Sequence, residues 1–298
     1  MQKIIVITGP TGVGKTKLSI ELAKKYNGEV INADSMQVYK ELNIGTAKIT
    51  DNEKENIPHH LFDIKNVFEE YTIYHYQKDL RNKIEEITNR GKRIIIVGGT
   101  ALYLKAGLFD YSLEDNTTNR DLSNFSDEEL VNKLKKLDKN INIDFNNRRR
   151  VERAYNYYLD NHKSITSNNN GNKLLYPTIF IGLTTNRDNL YQIINNRVDQ
   201  MIDNGLINEV KSLYDKNIRT KPLINGIGYK ELYSYFDGNI SYEEAIDKIK
   251  QNSRKYAKRQ YTFFNNKFNI RWFDVNYNNF NETIKEVENY IDMLDKER

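Results

Sequence analysis

Ile4-Ile5-Val6-Ile7 is an apolar run with no polar interruption, which predicts a buried strand over 3–9. Lys17-Leu18-Ser19-Ile20-Glu21-Leu22 then opens a helix that runs to about Tyr26. The alternation continues with a strand over 29–35, a loop, a helix over 73–89 and a strand over 93–100. Strands alternating with helices in this way predict an α/β fold with a parallel sheet flanked by helices. From about Tyr111 the sequence becomes polar, charged and helix-periodic without β-branched runs, ending in the asparagine-rich stretch 167–172, which reads as an exposed loop. Apolar strands return at 177–183 and 270–273, with long helical patterns at 187–216, 241–265 and 279–295. The expected organisation is a core of 1–111 and 176–298, carrying the C-terminal helices, with a mainly helical insertion at 112–175.

A chain of 298 residues is long enough to bury a sizeable core. No run approaches the ~18 apolar residues of a membrane span, and no signal-peptide pattern precedes the first strand, so a cytoplasmic protein with no membrane partner is expected. The absence of cysteine excludes disulfides and thiolate metal sites. Of the four histidines, His59 and His60 are adjacent, and none stands in a metal-binding spacing such as HExxH. Net charge is only +4, but residues 250–271 hold seven Lys or Arg and no acid. Tyr256, Tyr261, Phe263 and Phe264 interleave there with Lys255, Lys258 and Arg259, a mixture suited to phosphate contact with base stacking or to an amphipathic helix packed on the core.

The first strand leads directly into Gly9-Pro10-Thr11-Gly12-Val13-Gly14-Lys15-Thr16, a GxxxxGK[ST] loop between a strand and a helix. That context makes it a P-loop, and the fold expectation narrows to a P-loop NTPase-like sheet. The glycines allow backbone N–H groups to face phosphate oxygens and the helix N-terminus adds partial positive charge. Lys15 supplies a countercharge and the Thr16 hydroxyl a ligand for Mg²⁺. P-loop grammar alone favours a nucleoside triphosphate such as ATP. A P-loop kinase also carries an acid at the end of a second apolar strand to hold Mg²⁺, whereas Ile94–Val97 here runs into Gly98-Gly99-Thr100. Asp34-Ser35 close the second strand, where ligands of such sheets bind, and this places Asp34 for chemistry or for strand-end capping.

Six motifs, GPTGVGKT, ADSMQVY, IGTAK, PHHLFDI, IIIVGGTALYLKA and YAKRQYTFF, occur in the order seen in bacterial tRNA dimethylallyltransferases, which the chain resembles over about residues 3–273. The resemblance implies transfer of a dimethylallyl group from dimethylallyl diphosphate to N6 of adenosine 37, beside the anticodon of tRNAs reading codons that begin with U. It implies that the P-loop residues Gly9 to Thr16, with Mg²⁺ on Thr16 and Arg197 as a second cation, hold the diphosphate leaving group. Asp34 would accept the N6 proton as general base, and Thr100 would contact the target nucleotide. Ser35, Met36 and Gln37 match the segment around the extruded base, whose flipping costs a few kcal/mol. Arg120, Arg149, Arg150 and Arg153 of the insertion, together with Lys258, Arg259 and Gln260, match positions that touch the tRNA anticodon stem-loop. The segment Asn225-Gly226-Ile227-Gly228-Tyr229-Lys230 also falls where the family touches tRNA, with Asn225 where some relatives have arginine. A monomer is expected. A small-molecule or nucleoside kinase, a non-catalytic RNA-binding module and an isopentenyltransferase acting on free AMP are the competing readings.

Overall fold

The computed structural model describes residues 2–113, 118, 120–167 and 170–297. In chain order its elements are β1 (Ile4–Thr8), α1 (Lys15–Tyr26), β2 (Gly28–Asn32), β3 (His59–His60), α2 (Ile73–Asn89), β4 (Arg93–Val97) and α3 (Ala101–Leu108). Next come β5 (Phe109–Tyr111), α4 (Asp127–Leu137), α5 (Arg148–Asn161), a 3-10 turn at Ile165–Ser167, and β6 (Asn170–Leu174). The chain continues with β7 (Thr178–Thr184), α6 (Arg187–Asp203), α7 (Leu206–Tyr214), α8 (Lys221–Asn225) and α9 (Tyr229–Phe236). It closes with α10 (Tyr242–Lys267), β8 (Arg271–Asp274) and α11 (Phe280–Lys296).

These elements form two compact units, residues 1–104 with 176–298, and residues 105–175. The first unit holds a six-stranded parallel sheet in the order β3-β2-β4-β1-β7-β8. Every residue of β1 is buried, as expected of a central strand covered on both faces. Ile5, Ile7, Leu18, Leu22, Val287 and Ile291 belong to one apolar cluster, which joins β1 to α1 and to the C-terminal helix α11. Two charges lie inside the sheet among the described residues: Arg93 of β4, paired with Asp295, and Glu29 of β2, each 5% exposed. The Glu29 carboxylate accepts from Arg90 at 3.0 and 2.7 Å and lies 2.6 Å from His60 Nε2. The Arg90 hydrogen bonds, followed by the His60 contact, outweigh burial and hold its pKa below the usual carboxylate value.

The pattern at 187–216 predicts one helix, and the structure breaks it at Asn204-Gly205. Gly205 has φ 98°, a left-handed conformation that opens α7 instead of continuing α6. The short strand β3 adds only two residues to the edge of the sheet, too few to leave an alternating signal.

The second unit packs α4 and α5 around Leu122, Leu130, Leu134, Ile141, Val151 and Ala154. Helix α4 starts from a capping box in which Ser126 and Glu129 satisfy each other's backbone N–H groups. The unit is not purely helical: β5 and β6 pair antiparallel. Residues 168 and 169 of the asparagine-rich stretch lie outside the described residues, but Asn170–Leu174 is a strand, which corrects the loop expectation for its second half. Pairing with Phe109–Tyr111 overrides the low β-propensity of Asn170-Gly171-Asn172.

Candidate active site

The phosphate loop hangs from the carboxyl end of the central strand β1, and α1 begins at Lys15. Gly9, Gly12 and Gly14 have φ of 137°, 85° and 89°, which side-chain-bearing residues rarely adopt. Gly9 and Pro10 are buried, Thr11 and Gly12 half-buried, and Val13, fully buried, anchors the loop in the core. Two outside side chains press on the loop: a Cβ at Gly12 would lie 2.5 Å from Ile193, and one at Gly14 only 2.6 Å from the Phe280 ring of α11. Lys15 arches back over the loop and donates from Nζ to the carbonyls of Gly9 at 3.0 Å and Pro10 at 2.6 Å. Thr16 is exposed at the opening turn.

Two cations converge on this loop. Burial, then the nearby Arg197 guanidinium, pushes the Lys15 pKa down to about 7, while the charge of Asp34 acts the other way. Burial likewise lowers the pKa of Arg197 on α6, and Asp34 opposes that shift. The Arg197 Nε is buried without a hydrogen-bond partner. A guanidinium whose Nε is buried without a partner, beside a desolvated lysine, is suited to an anion.

Asp34 follows β2. Its backbone N–H donates to Asn32 Oδ1 at 2.8 Å, and its own Oδ1 accepts from the Met36 N–H at 2.9 Å. One carboxylate oxygen thus orients the side chain, and the second makes no hydrogen bond among the described residues. The Thr100 hydroxyl accepts from the Ser35 N–H at 3.0 Å, and the Thr100 N–H donates to Ala33 O at 3.0 Å. These bonds draw the ends of β2 and β4 together across Gly98, where a Cβ would meet the Ala33 backbone at 2.3 Å. The close approach gives a physical reason why no acid stands at this strand end.

Tyr256 of α10 completes the group, and its place here was not read from the sequence. Burial, then the charge of Asp34, pushes its pKa up to about 12, while hydrogen bonds to Thr100 and Gln260 pull down, so it acts as a neutral phenol. Gln260, one helical turn on, is 6% exposed and donates from Nε2 to Gly99 O at 2.9 Å. Its Oε1 is buried without a partner. The i, i+4 spacing of Tyr256 and Gln260 was the available signal for an inward face.

The other expected contact residues are dispersed. Lys258 and Arg259 are exposed on α10 and line a shallow groove with Thr262, Phe263, Asn266 and Lys267. Gln37 spends its amide on Thr46 O at 2.9 Å, and Met36 lies against Gly226. In the second unit Arg149, Arg150 and Arg153 are exposed on α5 and form no ion pair among the described residues. Their neighbour Arg148 is bound to Asp127, Glu152 and Leu122 O. Arg120 is paired with Asp160, so its charge is already partly neutralised within its own unit. The structure therefore gathers the P-loop, Asp34, Ser35, Thr100, Arg197 and Gln260 in the first unit, and Arg120, Arg149, Arg150 and Arg153 in the second.

Comparison with known proteins yields three findings. The family model described as IPP transferase matches residues 37–267. Among curated proteins, the chain is 48% identical over 300 residues to the tRNA dimethylallyltransferase of Anoxybacillus flavithermus, covering 98% of this chain and 96% of that protein. It is 47% identical over 286 residues to the one of Bacillus subtilis, covering 92% and 91%. Among solved structures, the full-length tRNA isopentenylpyrophosphate transferase of Bacillus halodurans aligns with TM-score 0.78 at 43% identity, covering 100% of this chain and 98% of that one. A eukaryotic dimethylallyltransferase acting on tRNA aligns with TM-score 0.81 at 34% identity, covering 92% and 74%.

Proposed function

The chain belongs to the IPP transferase family, and from that premise we infer that it is a tRNA-modifying prenyltransferase, moving a dimethylallyl group from dimethylallyl diphosphate to N6 of adenosine 37. The observation that carries this reading is the pair of desolvated cations, Lys15 and Arg197, set beside Asp34, with Gly98 rather than an acid after β4. In the reaction the N6 lone pair attacks the allylic carbon, the bond from that carbon to the diphosphate oxygen breaks, and the N6 proton passes to Asp34. The diphosphate leaves with the bonding electrons, so negative charge grows at the P-loop as the transition state forms. The backbone amides of the loop are held in place for that charge, and Lys15, tethered over the loop by Gly9 O and Pro10 O, and Arg197 stand beside it.

Mg²⁺ fits the site through Thr16, whose exposed hydroxyl makes no hydrogen bond among the described residues. No group of three or more acidic, histidine or cysteine side chains that could cage a metal occurs among the described residues, which suits an ion held chiefly by diphosphate and water. Bound there, the ion would neutralise leaving-group charge. The Ser35 N–H to Thr100 bond fixes the turn that aims Asp34. Tyr256, a neutral phenol beside Asp34, lies against Thr100 and Gln260. Exposed cations on α5 and α10 supply the phosphate contacts that offset extrusion of the base. A cytoplasmic location follows from the substrate, and no helix among the described residues is long and apolar enough to cross a membrane.

The test is transfer of label from isotopically marked dimethylallyl diphosphate to tRNA, with mass spectrometry of the digested nucleosides. Label in N6-(dimethylallyl)adenosine is the expected result. Transfer of the ATP γ-phosphate to a small molecule without tRNA alkylation overturns it in favour of a kinase. Alkylation of free AMP in preference to tRNA overturns the RNA substrate.

A further inference from the structure

Glu209, on α7, lies outside the reacting groups, yet its carboxylate collects four hydrogen bonds. Oε2 accepts from the backbone N–H groups of Asn43 at 3.0 Å and Ile44 at 2.7 Å. Oε1 accepts from the Gly45 N–H at 3.1 Å and the Tyr229 hydroxyl at 2.7 Å. Three successive amides aimed at one point form the kind of concavity that binds anions, and here the chain fills it with its own carboxylate. Tyr229 is fully buried against the same loop: a Cβ at Gly45 would lie 2.7 Å from its ring and its hydroxyl, so the residue there must lack one.

The loop held this way is tied to the substrate-facing turn. Gln37 donates to Thr46 O at 2.9 Å, and the Thr46 hydroxyl donates to Leu42 O at 2.7 Å. Lys48, its side chain 4% exposed, donates to Tyr39 O at 2.6 Å. Met36 rests on Gly226, three residues before Tyr229. We propose that Glu209 and Tyr229 form a bracket that positions the segment Ser35–Gln37 for tRNA by fixing the Asn43–Gly45 backbone. The proposal rests on the tRNA reading of the site. Glu209 is a positioning residue, touching neither substrate nor the reacting atoms. Its effect is to complete the ordering of the loop before RNA arrives, so that binding does not bear that entropy.

Glu209→Gln puts an amide donor where a carboxylate oxygen now accepts two bonds, whichever way the amide turns. Tyr229→Phe removes only the hydroxyl and keeps the ring against Gly45. Steady-state kinetics of both variants, varying an anticodon stem-loop RNA and dimethylallyl diphosphate separately, test the bracket. The expected result is a KM for RNA raised roughly tenfold in E209Q, the size of one lost charge-assisted hydrogen bond. A smaller rise is expected in Y229F, with the KM for the diphosphate donor unchanged in both. If E209Q does not fold, Y229F carries the comparison. An unchanged RNA KM accompanied only by a lower Tm overturns the proposal, as does a parallel rise in both KM values. A wild-type protein that alkylates no RNA in the same assay overturns the transferase reading instead. The bracket is then judged by hydrogen exchange at the Asn43, Ile44 and Gly45 amides, which must quicken in Y229F and E209Q, and unchanged exchange rejects it.

Discussion

Lys15 is the residue whose charge state depends most on its surroundings. Burial and Arg197 bring its pKa to about 7, so the empty site holds a mixture of ammonium and neutral amine near neutral pH. A bound diphosphate brings opposite charge and raises that pKa, so binding takes up a proton. The contribution of Lys15 to affinity is then fully present below about 7, falls as pH rises above it, and is gone beyond the raised value of the complex. Calorimetry of pyrophosphate binding at pH 8 in two buffers of different ionisation heat should show a buffer-dependent heat that diminishes in Lys15→Met. Equal heats in wild type and variant would assign the proton elsewhere. For Asp34, replacement by alanine is expected to lower the single-turnover rate by about 10²-fold or more, as for loss of a positioned base, with much less effect on tRNA affinity. The P-loop and the strand-end acid are legible in the sequence because each is a short contiguous pattern on one strand-turn unit. Tyr256 at the site is not, and Arg197 is reached only through the family resemblance, since α10 and α6 bring them in from distant parts of the chain and packing decides which helical face looks inward.

At the scale of elements, α5 begins with three arginines and no acid in its first turn, against the sign its dipole favours. Arg148 is compensated by Asp127 and Glu152, whereas Arg149, Arg150 and Arg153 face solvent. The two kinds of arginine should therefore separate experimentally. Arg148→Ala is expected to lower Tm while leaving the salt dependence of tRNA binding intact. Arg149→Ala or Arg153→Ala should leave Tm nearly unchanged and flatten the log–log salt slope by about 0.7–0.9 per lost phosphate contact. Replacing Lys258 and Arg259 together tests the exposed face of α10 in the same way. Wild-type slopes in all these variants would mean that RNA lies on another face. Helix α10 was legible from its period, and so was its basic, aromatic composition. Gln260 within it turns inward to Gly99, a partner that the i, i+4 spacing with Tyr256 does not identify. The break between α6 and α7 follows from Asn-Gly turn chemistry, and β5–β6 from pairing across most of the insertion.

For the whole molecule, every residue proposed to hold the diphosphate belongs to the first compact unit, and the three exposed arginines of α5 belong to the second. The second unit closes on itself, since the Leu175 N–H donates to Leu108 O at 2.9 Å. A variant in which residues 109–174 are replaced by a short glycine-containing turn is expected to bind pyrophosphate like wild type and to lose tRNA affinity by about tenfold or more, given several phosphate contacts. Calorimetry and gel-shift titration measure the two, and equal loss of both would show that the units do not divide the work. With the Ala33 backbone 2.3 Å from any Cβ placed at Gly98, a metal-binding acid could not stand at the end of β4 without prying apart the strand tips that hold Asp34 and Thr100. The glycine that lets the two strand tips touch thus makes the absence of a side chain a working part of the molecule: a single substitution there would have to separate the Asp34 turn from Thr100 before it could add any chemistry of its own.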